Sequence, residues 1–182
     1  YTFPLGEWKV AVGESMDASK TWPNSCKYGN VVDNIGDCGA SNSVDLGGDI
    51  SISAGRDFGD GWSFGLGASA DDGETNAGIF TEEGDDRYGL ALGYENDTYG
   101  VTVAYSSIED GAANNSYVGA TAYYNFEPFT LSGGIEWMEA DLATDVNSEQ
   151  WTVGITTEMG PGEISAGIGT NGAIDDNAED LH

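Results

Sequence analysis

Large apolar side chains alternate with small or polar ones along most of the sequence, and the alternation is strictest in 86–108. Two alternating runs are joined there by a short turn at 95–97. The large residues of these runs are Tyr88, Leu90, Leu92 and Tyr94, then Tyr99, Val101, Val103 and Tyr105. A period of two places such side chains on one face of a strand, which predicts a β-hairpin.

The same alternation recurs along the chain and predicts a series of antiparallel strands. They cover 7–15, 46–57, 62–70, 86–95, 98–108, 117–126, 129–138, 150–159 and 163–169, and 1–3 reads as the end of another strand. Short turns near residues 5, 60, 96, 128 and 161 alternate with longer, mostly acidic connections near 30, 78, 112, 144 and 176. The pattern therefore predicts an up-and-down sheet with short turns at one end and long loops at the other.

The two faces of these strands differ in a way that indicates a membrane-spanning barrel. One face carries aliphatic residues between aromatic ones, as in strands with an aromatic girdle at each membrane interface. The other carries Gly, Ala, Ser and Thr, which suit a wet lumen better than a packed core. We expect an all-β, antiparallel transmembrane β-barrel, with 1–182 as one domain that forms part of a larger up-and-down barrel. A soluble β-sandwich also alternates, but it has no reason to keep every short turn at one end.

The alternation also assigns individual side chains to lipid or to lumen. The residues expected to point to lipid are Trp62, Phe64, Leu66, Leu90, Leu92, Val101, Val103, Leu131, Ile135, Val153 and Ile155. Those expected to point inward are Gly65, Gly67, Gly89, Thr102, Ser132, Thr152 and Thr156. The charged residues expected to line the pore are Lys9, Asp49, Arg87, Glu136 and Glu158. Arg56 is in phase with the lipid-facing residues, although a bulge at the neighbouring turn could shift it.

Composition narrows the classes of function. The net charge is -27 and the sequence pI is about 4.1, which argues against nucleic acid as a partner. No apolar run approaches the ~18 residues of a transmembrane helix. The single histidine is His182, so a histidine-based catalytic triad has no base. We expect neither enzymatic activity nor a cofactor.

Four stretches of the chain resemble a known family. They are YTFPLGEWKVAVGESMD, DISISAGRDFGDGWSFGLG, GLALGYENDTYGVTVAYS and EQWTVGITTEMGPGEISAGIGTNG. With them the chain resembles Gram-negative outer-membrane porins, and it is most similar to the acidic porins of marine cyanobacteria. The resemblance implies a homotrimer in the outer-membrane bilayer that passes ions and small hydrophilic solutes. Because bacterial single-chain barrels have an even number of strands, we expect an internal fragment that is truncated at both ends.

Two cysteines, Cys26 and Cys38, lie in the long connection 16–45. An outer-membrane protein is exposed to an oxidising compartment, where a disulfide within this loop is favoured over two free thiols. We therefore expect a Cys26–Cys38 bond that ties the longest extracellular loop.

The acidic stretch 72–83 partly matches the spacing of a calcium-binding loop. The candidate ligands are Asp72, Glu74, Asn76 and Glu83. Ala77 replaces the glycine that such a loop needs, and strands rather than helices flank it. A solvated acidic loop is the simpler interpretation, so no metal is expected.

Acidic residues also cluster in the predicted loops at the mouth of the barrel. They are Glu74, Glu82, Glu83, Asp85, Glu109, Asp110, Glu139, Asp141, Asp145 and Glu149. Like charge of this kind attracts counter-ions to a pore entrance, which predicts a cation-preferring pore. We further expect Glu136→Gln to lower the preference at high salt more than Glu139→Gln does. The alternative function is a secreted, acidic β-sandwich adhesion module with calcium-binding loops.

Overall fold

The computed structural model describes residues 1–27, 38–71, 85–110, 113–140 and 147–170. Its strands are β1 (Thr2–Leu5), β2 (Trp8–Gly13), β3 (Ile50–Gly59), β4 (Trp62–Ala70), β5 (Asp86–Glu95), β6 (Tyr99–Asp110), β7 (Ala113–Phe126), β8 (Phe129–Ala140), β9 (Asn147–Met159) and β10 (Gly162–Gly169). One short helix, α1 (Ser41–Val44), precedes β3. No helix among the described residues is long and apolar enough to cross a membrane.

The ten strands form one antiparallel sheet in which each strand pairs with the next along the chain. This up-and-down order confirms the predicted fold class. The sheet is not closed within the described residues, because β1 and β10 are its two edges. The short turns follow β1, β3, β5, β7 and β9 and all lie at the same end of the sheet, which we call the turn end.

The two sets of alternating side chains lie on opposite faces of the sheet, as predicted. Across the sheet, Leu66 pairs with Leu90, and Leu90 pairs with Tyr105. This large-residue face is uncovered, with Leu90 45% and Val103 50% exposed. On the opposite, small-residue face, Thr102 is fully buried. No second sheet covers the large residues in the described part of the chain, so the sandwich alternative is not favoured.

The long connection between β2 and β3 folds back onto the sheet. We call residues 14–49 the crossing segment; its described parts are 14–27 and 38–49. Instead of extending beyond the strands, it lies across the small-residue face, and α1 contacts β6, β7 and β8. The face that was expected to be wet is therefore largely covered from β3 to β9.

Glycines of the small-residue face allow this close approach. A Cβ atom at Gly65 would lie 2.6 Å from Cδ1 of Trp22, and one at Gly93 would lie 2.5 Å from Cβ of Pro23. A Cβ at Gly67 would collide with the backbone carbonyl of Ala18. The glycines thus serve as contact positions for the crossing segment rather than as the lining of an open lumen.

Several strand limits differ from the prediction. Of the loop expected at 109–116, residues 109–110 continue β6 and residues 113–116 begin β7, and the two strands pair as far as Asp110 and Ala113. The sequence of this stretch is small or polar throughout, so it lacked the alternation that marks a strand. Strand β3 begins at Ile50 rather than at 46, because the preceding residues belong to the crossing segment. Arg56 stays on the large-residue face, and the register shift lies beyond it, between Asp57 and Gly59.

Candidate functional site

The first arm of the crossing segment, 16–27, is bound to the small-residue face through hydroxyl groups. The Thr21 and Ser53 hydroxyl oxygens are 2.8 Å apart, and those of Ser25 and Thr102 are 2.9 Å apart. At the end of this arm the backbone N–H of Lys27 donates to the Ser132 hydroxyl at 2.9 Å. The arm therefore crosses the small-residue face from β3 to β8.

The predicted disulfide is present and joins the two arms. Cys26 and Cys38 are bonded, with their Cα atoms 5.6 Å apart. The Cys38 sulfur lies 3.3 Å from the Ser132 hydroxyl oxygen, so the bond rests on β8. It therefore ties the two arms together over β8, within a connection whose two ends lie at the end of the sheet opposite the short turns.

The returning arm, 38–49, is held by one buried carboxylate. Glu136 on β8 is only 2% exposed. It accepts hydrogen bonds from the backbone N–H and side-chain amide of Asn42 at 3.0 and 2.9 Å, and from the backbone N–H and hydroxyl of Ser43 at 2.7 Å each. The amide of Gln150 donates a further bond at 2.7 Å. Glu136 points inward as predicted, but it binds α1 instead of meeting open water.

Two other residues of the predicted pore lining also bind the chain itself. The Arg87 guanidinium pairs with Asp71 and donates to the carbonyl oxygen of Leu46, next to α1. Asp49 lies just before β3, where its carboxylate accepts bonds from the backbone N–H and the hydroxyl of Ser15. Both residues therefore fix the ends of the crossing segment.

The remaining two, Lys9 and Glu158, are exposed on the small-residue face at its opposite sides. Lys9 pairs with Gly55 in the sheet, next to the place where Thr21 crosses. Glu158 pairs with Glu163 across β9 and β10, close to the turn end. The structure thus separates them by most of the width of the sheet.

A recess of about 730 Å³ opens at the turn end of the small-residue face. Lys27 lies in its wall together with Glu95, Asp97 and Glu163. The Lys27 ammonium is 3.9 Å from a Glu95 carboxylate oxygen and 4.8 Å from the centre of the Tyr123 ring. Since 44% of the Lys27 side chain and 60% of the Glu95 side chain are exposed, their attraction is strongly screened. The recess can therefore present both charges to a solute.

Sequence reasoning missed Lys27, Glu95 and Glu163 as members of one site. Glu95 and Glu163 follow the inward alternation of β5 and β10, so that signal was available. Lys27 could not be predicted, because it lies in a polar connection whose sequence has no periodicity that would indicate where it contacts the sheet.

Some of the acidic residues expected in loops at the mouth belong to strands instead, at the end of the sheet opposite the short turns. Glu109, Glu139 and Glu149 belong to β6, β8 and β9, on the large-residue face and in line with Tyr105 and Trp137. The calcium candidates Asp72, Glu74, Asn76 and Glu83 lie outside the described residues. Within the described ranges no group of His, Cys, Asp or Glu side chains is arranged to hold a metal ion.

Comparisons with known proteins found one family and a similar solved structure. A family model described as Gram-negative porin matches residues 2–182. Among solved structures the chain is similar to a mutant of Rh. blastica porin, with 12% sequence identity and a TM-score of 0.42, over 93% of this chain and 70% of that one. No curated protein matches. Since the family match spans almost every residue, the chain belongs to the Gram-negative porin family, whose members are outer-membrane proteins.

Proposed function

We propose that the protein forms a water-filled, cation-preferring pore for ions and small hydrophilic solutes, as part of a homotrimer. The observation that carries the cation preference is the excess of exposed carboxylates around the turn-end recess. Glu95, Asp97 and Glu163 line the recess and are exposed, and Glu158 is exposed beside Glu163 on the paired strand. Lys27 is the one basic side chain beside them in the described residues. The likeness to marine cyanobacterial porins stays an expectation.

The charges of the lumen side are divided between two regions. Lys9 and Lys20 are exposed near β2 and β3, whereas the recess carboxylates lie between β5 and β10. A solute cation that follows the acidic region meets only Lys27 as a repelling charge among the described residues. This arrangement favours cations without requiring a binding site.

The salt dependence of selectivity distinguishes a cation preference set by charges in the lumen from one set by charges at the surface. The Debye length is about 8 Å at 0.15 M salt and about 3 Å at 1 M. Charges at the mouth therefore act mainly at low salt, whereas charges within a few ångströms of the permeating ion still act at high salt. We expect a cation preference that is strong at low salt and weaker, but not absent, at 1 M.

The test is the reversal potential of the full-length protein in a planar bilayer under a KCl gradient, at low and high mean salt. The matched pair is Glu163→Gln, in the recess, against Glu139→Gln, on the large-residue face. We expect the first to reduce the high-salt cation preference and the second to leave it unchanged. An anion preference at low salt, or no conductance at all, would contradict the proposal.

A further inference from the structure

A recess on the large-residue face forms a cleft at the end of the sheet opposite the turns. It has a volume of about 790 Å³ and is lined by Tyr105, Ser116, Trp137, Glu139 and Glu149, among others. A second recess of about 410 Å³ shares Tyr105, Ser116 and Glu139 with it and continues to Tyr88 on β5. Together they form a groove from β5 to β9, about 19 Å long if four strand spacings of ~4.8 Å are counted. We call it the outer groove.

The outer groove continues the lipid-facing surface of the barrel. Trp137 follows the lipid-facing Ile135 on the same face of β8 and is 45% exposed. Glu139 lies two residues further, about 6.6 Å along the strand at ~3.3 Å per residue. The headgroup layer is roughly 5–7 Å thick on each side of the hydrocarbon core. If Trp137 and Tyr105 form the girdle, the carboxylates of the groove lie in the headgroup layer.

The chemistry of the groove suits sugars. Trp137 and Tyr105 offer aromatic surfaces, on which the apolar face of a sugar ring can stack. Glu139 and Glu149 are carboxylates, which accept hydrogen bonds from sugar hydroxyls, and charged acceptors make the stronger bonds. The Ser116 hydroxyl, 3.3 Å from the Tyr105 hydroxyl, can both donate and accept.

The charge of the groove argues against anionic headgroups. Among the described residues, two carboxylates and no basic side chain line the larger recess. Anionic phosphate headgroups would be repelled, while the hydroxyls of an uncharged sugar would not. We infer that the outer groove binds the neutral sugar headgroup of an outer-leaflet glycolipid, in addition to the proposed pore function. The bound lipid lies on the opposite side of the wall from the permeating ions.

The experiment measures which lipid the full-length protein retains in native mass spectrometry. The protein is equilibrated with equal amounts of digalactosyl diacylglycerol and phosphatidylcholine with identical acyl chains. We expect the wild type to retain the glycolipid several-fold over phosphatidylcholine, and Trp137→Leu to bring the ratio close to one. Trp62→Leu, in the aromatic cluster of the turn end, is the matched control and should keep the wild-type ratio.

A second variant and a third lipid make the test decisive. Glu149→Gln keeps the aromatic surface and should lower the ratio by a smaller factor, so the inference does not depend on the folding of Trp137→Leu. Equal retention of both lipids by the wild type would overturn the inference. So would a fall in the glycolipid ratio of Trp62→Leu as large as that of Trp137→Leu. So would selective retention of phosphatidylglycerol in the presence of calcium, which would indicate a cation-bridged anionic lipid. Single-channel conductance of the same samples tests the pore separately and should not change in Trp137→Leu.

Discussion

Replacement of Glu136 by glutamine should loosen the returning arm of the crossing segment. Glutamine has the same shape, but one of its two terminal atoms is an amide nitrogen that cannot accept a hydrogen bond. In one orientation that nitrogen faces the backbone N–H groups of Asn42 and Ser43; in the other it faces the side-chain amides of Asn42 and Gln150. Either orientation costs at least two hydrogen bonds to a buried carboxylate.

The magnitude follows from the number and type of bonds lost. A hydrogen bond to a charged group contributes about 1.5–3 kcal/mol, and an unsatisfied buried donor costs about 1–3 kcal/mol. Because serine and amide side chains can reorient, we expect the docking free energy of the arm to fall by about 2–4 kcal/mol. That corresponds to an increase of roughly 30-fold to 1000-fold in the population with the arm undocked.

The assay combines single-channel recording with thermal unfolding. Glu136→Gln should give a lower unfolding temperature and a noisier, more variable conductance, since the arm lies across the lumen face of the wall. Glu139→Gln removes the same charge from an exposed position on the large-residue face and should resemble the wild type. If the two variants match in both measurements, Glu136 does not hold the arm, and the reasoning fails. The high-salt selectivity effect of Glu136→Gln expected from the sequence assumed that this carboxylate meets water; Glu136 is instead 2% exposed, and the effect stays a prediction.

Further outcomes follow from the same contacts. Gly67→Ala should lower the unfolding temperature, with a cost of about 1–3 kcal/mol, because its Cβ would meet the crossing segment; Gly162→Ala, where the added Cβ has open space, is the control in the same melt. Reduction of the disulfide in the folded protein should lower the unfolding temperature, since closing a short loop contributes ~3 kcal/mol in the chain-entropy model; an unchanged melting curve after verified reduction would contradict this. Lys27→Gln should raise the cation preference measured by reversal potential at 1 M salt, whereas Arg56→Gln, on the other face, should not. A shift of equal size in both variants would mean that Lys27 is remote from the permeating ions.

The strands could be predicted because one face of each had to carry large apolar residues. Alternation such as Tyr88, Leu90 and Leu92 survives only in a strand whose large face meets an apolar medium or a core. The crossing segment has no such constraint. Its contacts are hydroxyl pairs such as Ser25 with Thr102, and serine and asparagine in a connection read as solvent-exposed. Its sequence therefore gave no sign of the surface to which it binds.

The sequence of the strands nevertheless indicated that another segment covers the small-residue face. The inward positions of β4 are serine and glycine, and most of those on β6 are small and uncharged as well. Large polar side chains are compatible with a wall that faces water. They would prevent the close approach of another segment, so a covered wall requires small residues. The buried Glu136 marks where that segment needs an acceptor for its backbone N–H groups. Small inward residues are therefore better read as contact positions than as evidence of a wet lumen.

The position of the acidic residues limits how the net charge of -27 can act on permeation. Glu109, Glu139 and Glu149 lie on the large-residue face, so the sheet separates them from the lumen. Packed layers in proteins are about 10 Å apart, and exposed charges separated by more than the Debye length, about 8 Å at 0.15 M salt, are largely screened. On the proposed pore function we therefore expect these carboxylates to contribute little to selectivity at physiological salt, although they lower the pI. We expect an ion to respond mainly to the charges of the recess, where one lysine changes the local balance more than several glutamates on the outside do.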